Sequence, residues 1–160
     1  MKEILFVCTG NTCRSPMAEY IMNDLLAERG LDGEYFASSA GVSTMDGLMA
    51  SSGSLHACSL RGLDISSHRS RQLSEEMLKN SHLILTMGNS HKRIIEMYFP
   101  EVVNGKVFTL GEFAGKCDEG VMVKDISDPY MMDDIVYEKV CEEISAYLEI
   151  IINYLKGNKQ

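Results

Sequence analysis

The chain contains no tryptophan, only 3 prolines in 160 residues, and no apolar run approaching the roughly 18 residues a membrane-spanning helix needs. Its opening residues, Met1-Lys2-Glu3-Ile4, carry no extended apolar signal region, which predicts a cytoplasmic protein without membrane attachment. Basic residues are the scarcer charges: 15 Lys and Arg against 23 Asp and Glu give a net charge of −8. Those present are scattered or local, as in Arg69-Ser70-Arg71 and Lys92-Arg93, so no basic stripe exists to follow a nucleic-acid backbone. The 5 cysteines form no C-x-x-C pair, and an odd number in a reducing compartment reads as free thiols, one or more of them reactive. Both G-x-G-x-x-G and G-x-x-x-x-G-K-S/T are missing, which removes the usual nucleotide motifs. His56, His68, His82 and His91 lack metal-ligand spacing and read as structural or surface residues.

What is present alternates strand and helix. Ile4-Leu5-Phe6-Val7 lies in an all-apolar stretch, residues 3–8, expected of a strand buried on both faces of a parallel sheet. Residues 17–29 repeat apolar side chains at helical spacing and stop at Gly30. Tyr35-Phe36-Ala37 is a second strand entering a Ser38-Ser39-Ala40-Gly41 turn, and residues 53–62 suggest a helix. Ser74, followed by Glu75 and Glu76, caps a short helix to about Lys79. Residues 82–87 and 106–109 are the third and fourth strands, with a helix capped by Asn89 or Ser90 between them. Residues 111–132 read as loop, and a long helix from Asp133 to Leu155 carries an apolar stripe that suits the core, with a dimer face as the alternative. The 11 methionines read as core filling. The expectation is one α/β domain over residues 1–160: an open, doubly wound, four-stranded parallel sheet with helices on both faces. Ligands bind such sheets beyond the carboxyl ends of the strands.

That edge is occupied by Cys8-Thr9-Gly10-Asn11-Thr12-Cys13-Arg14-Ser15. Cys8 is the candidate nucleophile. The loop N–H groups, the following helix N-terminus and the Arg14 cation favour a thiolate there. The planar fork of Arg14 can hold two phosphoryl oxygens at once. Thr9, Gly10, Asn11, Thr12, Cys13 and Ser15 make the phosphate cradle, with Gly10 and Asn11 tolerant of the left-handed angles that converging amides need. Ser15 can donate to the Cys8 sulfur or cap the helix at Pro16, and both roles are compatible. Cys13 either fills the loop or approaches Cys8 closely enough to pair on oxidation. Asp128-Pro129, by composition alone a turn, places a carboxyl group in a late loop where it can supply a proton.

Taken together these residues resemble the low-molecular-weight protein tyrosine phosphatase family over nearly the whole chain. The matching signatures are C-x5-R-S at Cys8, Arg14 and Ser15, its continuation Pro16-Met17-Ala18-Glu19, and Asp-Pro at Asp128 and Pro129. The resemblance implies that Ser39 and His68 support the loop through Asn11. It implies a two-step mechanism without metal or cofactor: Cys8 attacks phosphorus, Arg14 and the loop amides hold the equatorial oxygens, and Asp128 serves as acid and then as base. The expected partners are phosphorylated proteins or peptides, and a monomer is expected. Where tyrosine-directed members carry a bulky aliphatic residue, this chain has Thr12, as in the protein arginine phosphatase branch. A hydroxyl there suits a polar, planar guanidine. Tyr130, after the Asp-Pro pair, is the residue many tyrosine-directed members use, and it can stack on either substrate. Phosphoarginine is the favoured reading, phosphotyrosine the alternative. An arsenate reductase of the same fold would need further cysteines in residues 80–92, which contain none. A non-catalytic phosphate reader would need neither Cys8 nor Asp128.

Overall fold

Strands covered on both faces need unbroken apolar sequence, and Ile4-Leu5-Phe6-Val7 supplies it at the middle of the sheet, all four side chains fully buried. The protein is described here from a computed structural model covering residues 1–158. Strands β1 (Lys2–Cys8), β2 (Tyr35–Gly41), β3 (Leu83–Thr86) and β4 (Val107–Thr109) form one sheet in the order β2-β1-β3-β4, every pair parallel. Register sets Cys8 beside Gly41 and Val7 beside Thr86, so β1 delivers Cys8 to the carboxyl edge.

The strand period of two divides the core into two layers. Ile4, Phe6, Leu83 and Leu85 face α1 (Arg14–Glu28), α2 (Ser52–Ser59), α5 (Leu110–Cys117) and α6 (Asp134–Gly157). Leu5, Val7 and Ile84 face α3 (Glu75–Asn80) and α4 (Asn89–Tyr98), meeting Leu78 and Ile95. Each such side chain contributes about 1.5–3 kcal/mol of burial, most of it offset by the entropy of ordering the chain.

The expected architecture is present, with local departures. The Ser38–Gly41 stretch continues β2 instead of turning, because all four residues keep parallel register with Leu5–Cys8. Residues read as loop begin with α5, closed at its start by a reciprocal cap: the Thr109 hydroxyl accepts from the Glu112 N–H, and the Glu112 carboxylate accepts from the Thr109 N–H. The methionines are mostly not core. Met17, Met22 and Met87 are buried, whereas Met45, Met49, Met97, Met122, Met131 and Met132 are exposed.

Gly41 and Gly53 are required by close approach. A Cβ at Gly41 would stand 2.6 Å from the Thr9 carbonyl oxygen, where β2 presses on the loop after β1. A Cβ at Gly53 would stand 2.3 Å from the Tyr137 ring, where α2 crosses α6. Both contacts fix segments that surround the carboxyl edge.

Candidate active site

Cys8 ends β1 and Arg14 starts α1, so the six residues from Cys8 to Cys13 must turn the chain within one short loop. The turn is made by Asn11, the one loop residue in the left-handed region (φ 57°). Gly10 has no positive φ and meets only Thr12 Oγ1, at 3.8 Å, so neither the expected left-handed angle nor crowding accounts for it. No side chain caps α1, and its first N–H groups open toward the loop.

Asn11 organises the loop. Its backbone N–H donates to Cys8 Sγ at 3.3 Å. Its Nδ2 donates to Ser15 Oγ (2.8 Å) and to Ser39 Oγ (2.9 Å), while its Oδ1 accepts from the Arg71 N–H (2.9 Å). An amide nitrogen can only donate, so both serine oxygens accept from it and their own protons point elsewhere. That of Ser15 is directed to Cys8 Sγ, 2.9 Å away; that of Ser39 goes to Glu19 Oε1 at 2.7 Å. Ser15 is the second residue of α1 and caps nothing, so of its two expected roles only the contact with sulfur is realised. The Asn11 carbonyl accepts from His68 Nε2 at 2.7 Å. Burial keeps the His68 imidazole below the usual histidine range and raises the Glu19 carboxyl, the latter opposed by Ser39 and Arg71. Ser39 and His68 thus stand where the sequence resemblance places them. Glu19 and Arg71 complete the support and were not singled out by sequence.

Arg14 is buried, with its guanidinium steered by two contacts. Nη1 donates to the Ile126 carbonyl at 3.1 Å, and Nη2 lies 3.7 Å from Asp128 Oδ2. Asp128 itself is exposed and turned by the Tyr130 N–H, which donates to its Oδ1 at 3.1 Å. The late loop therefore reaches back over the loop after β1. Cys8, Thr9, Gly10, Thr12, Cys13, Arg14, Asp128 and Tyr130 line one cavity of about 590 Å³, walled also by Met45 and Leu48. Cys13 Sγ rests 3.3 Å from Tyr137 Oη and 3.5 Å from Ser51 Oγ. A sulfur at the floor, N–H donors around it, a buried guanidinium and an exposed carboxyl group are the parts needed to transfer a tetrahedral anion from one atom to another.

The family follows from the whole chain. Residues 3–160 match the model of the low molecular weight phosphotyrosine protein phosphatases. The chain belongs to that family. It is 36% identical over 154 residues to a protein-arginine-phosphatase of Geobacillus stearothermophilus, covering 96% of each chain. The crystal structure of a low molecular weight protein tyrosine phosphatase from T. tengcongensis superposes with a TM-score of 0.86 at 43% identity, covering 96% of this chain and 99% of that one. YwlE arginine phosphatase, as a cysteine-to-serine mutant with a phosphorylated active-site serine, superposes with a TM-score of 0.89 at 31% identity over 98% of this chain and 97% of that one. As a member of this family the chain is a cysteine-dependent protein phosphatase. Among its described residues no helix is long and apolar enough to cross a membrane.

One histidine of this phosphatase, read from sequence as structural or surface, lies directly behind the loop after β1. His91, near the start of α4, is buried and its Nε2 lies 2.9 Å from Thr9 Oγ1. Its position just past the carboxyl end of β3, on the same sheet edge as the octet, was the available signal. Burial, and then the Arg14 charge, push its pKa down to about 4 from the ordinary 6.5. A depressed folded-state value means the unfolded chain takes up the proton first as pH falls. The stability that the neutral ring contributes is therefore whole above pH 6.5 and is lost on acidification toward pH 4. The loss amounts to roughly 2 to 3 kcal/mol over that window. Urea unfolding across the window should show it, and His91→Gln, which has no such proton to take up, should show a correspondingly shallower acid decline.

Proposed function

We propose that this phosphatase removes phosphate from phosphoarginine in proteins or peptides through a phosphocysteine on Cys8. The observation that carries the reading is the convergence of Cys8, Arg14 and Asp128 on one cavity. Cys8 Sγ attacks phosphorus in line while the loop N–H groups of Thr9–Cys13 and the Arg14 fork hold the equatorial oxygens. The phosphorus–sulfur bond forms as the phosphorus–nitrogen bond breaks. The departing electron pair stays on nitrogen, which takes a proton from Asp128. Asp128, now a carboxylate, takes a proton from water as the water oxygen bonds to phosphorus. The phosphorus–sulfur electrons return to Cys8, where the Ser15 hydroxyl, held 2.9 Å from the sulfur, steadies the leaving thiolate. Asn11, Ser39 and His68 keep the loop in the shape this sequence of steps needs. Neither step calls on a metal or cofactor, and we read the protein as a cytoplasmic monomer built from a single phosphatase domain.

The choice of arginine rests on Thr12. It stands half-buried in the cavity wall, and its hydroxyl leaves a small, polar surface where a branched aliphatic chain would press on a flat guanidine. The Asp128 carboxyl group on the same cavity wall adds an acceptor oxygen for the guanidine N–H groups. Similarity to a protein-arginine-phosphatase along 96% of the chain supports this reading. Tyr130, exposed at the rim, gives the phosphotyrosine alternative its own support, since its ring offers a stacking surface to an aromatic substrate as well as to a guanidine. Side-by-side kinetics decide between the two. The unmutated protein should hydrolyse a phosphoarginine peptide with a higher kcat/KM than the matching phosphotyrosine peptide, and Thr12→Ile should narrow or reverse the ratio. Equal or inverted preference in the unmutated protein rejects the arginine assignment.

A further inference from the structure

The hydrogen bonds around His91 have a fixed direction, and they end in the catalytic cavity. The backbone N–H of Gly88 can only donate, and it points to His91 Nδ1 at 3.1 Å. Nδ1 therefore carries no proton, and the neutral ring bears its proton on Nε2. That proton is donated to Thr9 Oγ1, 2.9 Å away. The Thr9 hydroxyl has no other polar partner among the described residues, and its side chain lines the cavity with Cys8, Thr12 and Asp128. One lone pair of the oxygen is thus held by His91, which leaves the other and the hydroxyl proton for a ligand in the cavity. Neutrality of the ring fits the site. Arg14 already supplies the cation for the phosphoryl group, and an imidazolium behind Thr9 would repel a second, guanidinium charge arriving in the cavity.

We infer that Thr9 is a second substrate-selecting residue, a polar contact for the phosphorylated guanidine on the cavity wall, and that His91 is the positioning residue that holds its hydroxyl. The inference rests on the phosphoarginine reading above and deepens it. A phosphorylated guanidine is rimmed by N–H donors, and an oxygen pinned by a neutral donor offers them an acceptor of fixed direction. A phenyl ring has no hydrogen to give it. The pair should therefore act on one substrate and hardly on the other, which a general structural role cannot do.

The experiment measures kcat and KM on matched phosphoarginine and phosphotyrosine peptides for the unmutated protein, Thr9→Val, His91→Phe, His91→Gln and the double variant Thr9→Val/His91→Phe. Thr9→Val should lower kcat/KM for phosphoarginine about tenfold more than for phosphotyrosine, the worth of one hydrogen bond of about 1.4 kcal/mol, with the difference mostly in KM. His91→Phe should give the same pattern, and the double variant should be no worse than either single one, because the two side chains form one contact. His91→Gln, which keeps a donor near Nε2, should recover most of the loss. Should His91→Phe not fold, Thr9→Val decides alone, since Thr9 is exposed. A long-range proton–nitrogen correlation spectrum of the unmutated protein should place the His91 proton on Nε2. Parallel losses on both substrates, multiplying losses in the double variant, or a proton on Nδ1 would each overturn the inference. An unmutated protein that favours phosphotyrosine would instead overturn the reading beneath it.

Discussion

Cys8→Ser eliminates turnover of phosphoarginine and phosphotyrosine peptides alike, with kcat down on the order of 10⁴-fold or more, a barrier increase of at least about 5 kcal/mol. The loss is chemical. A serine hydroxyl differs from the thiol by one atom and fits the same buried position, so the Asn11 N–H at 3.3 Å and Ser15 Oγ at 2.9 Å still have an acceptor. What disappears is an ionisable, polarisable sulfur that both attacks and departs readily. An oxygen that did capture the phosphoryl group would release it far more slowly, which suits the YwlE mutant solved with phosphate on its serine. Thermal unfolding of the variant should stay close to that of the unmutated protein. Steady-state assays on both peptides check the claim, and substantial residual activity would remove Cys8 from the mechanism.

Asp128→Asn should lower kcat by roughly 10²- to 10⁴-fold on substrates whose leaving group needs a proton, and by much less on p-nitrophenyl phosphate, whose leaving group departs as a stable anion. Asparagine keeps the shape and an oxygen for the Tyr130 N–H, now 3.1 Å from Oδ1, but has no proton to deliver. The substitution also removes the ion pair with Arg14. At 3.7 Å, with the carboxylate side chain 58% exposed, that pair contributes at most about 1 kcal/mol, so stability should barely change. A loss graded by leaving group at constant stability identifies a proton donor. A uniform loss across all leaving groups would make Asp128 a binding residue instead.

The parts of the site that are contiguous in sequence were legible there. An apolar strand, a loop of fixed spacing and a helix start lie within the first 16 residues, and their roles follow from residue type at that spacing. Asp128 is different. Asp-Pro is an ordinary turn until tertiary structure carries Ile126 to Arg14 and closes the loop over Cys8. Ser39 and His68 were reached only through the family resemblance of the segments that hold them, because each acts through Asn11 across 28 and 57 residues of sequence. His91 offered only its position after the third strand as a signal, because its partner is 82 residues away. In the fold, the long apolar helix α6 was clear from its stripe, whereas α5 was not. Gly111 and Gly115 weaken the helical pattern there, and only the Thr109–Glu112 capping pair marks its start. The exposed methionines show the opposite failure, an apolar composition that says nothing of which side of the surface a residue occupies.

The phosphocysteine is tested most directly by stopping the unmutated protein with acid during turnover of p-nitrophenyl phosphate and mapping the phosphoryl group by peptide mass spectrometry. One phosphoryl group is expected, on the peptide that begins the chain and attached to the sulfur of Cys8, with no S-phosphate formed by Cys8→Ser. Phosphate found on any other side chain, or turnover that continues with no phosphoenzyme at all, would contradict the mechanism.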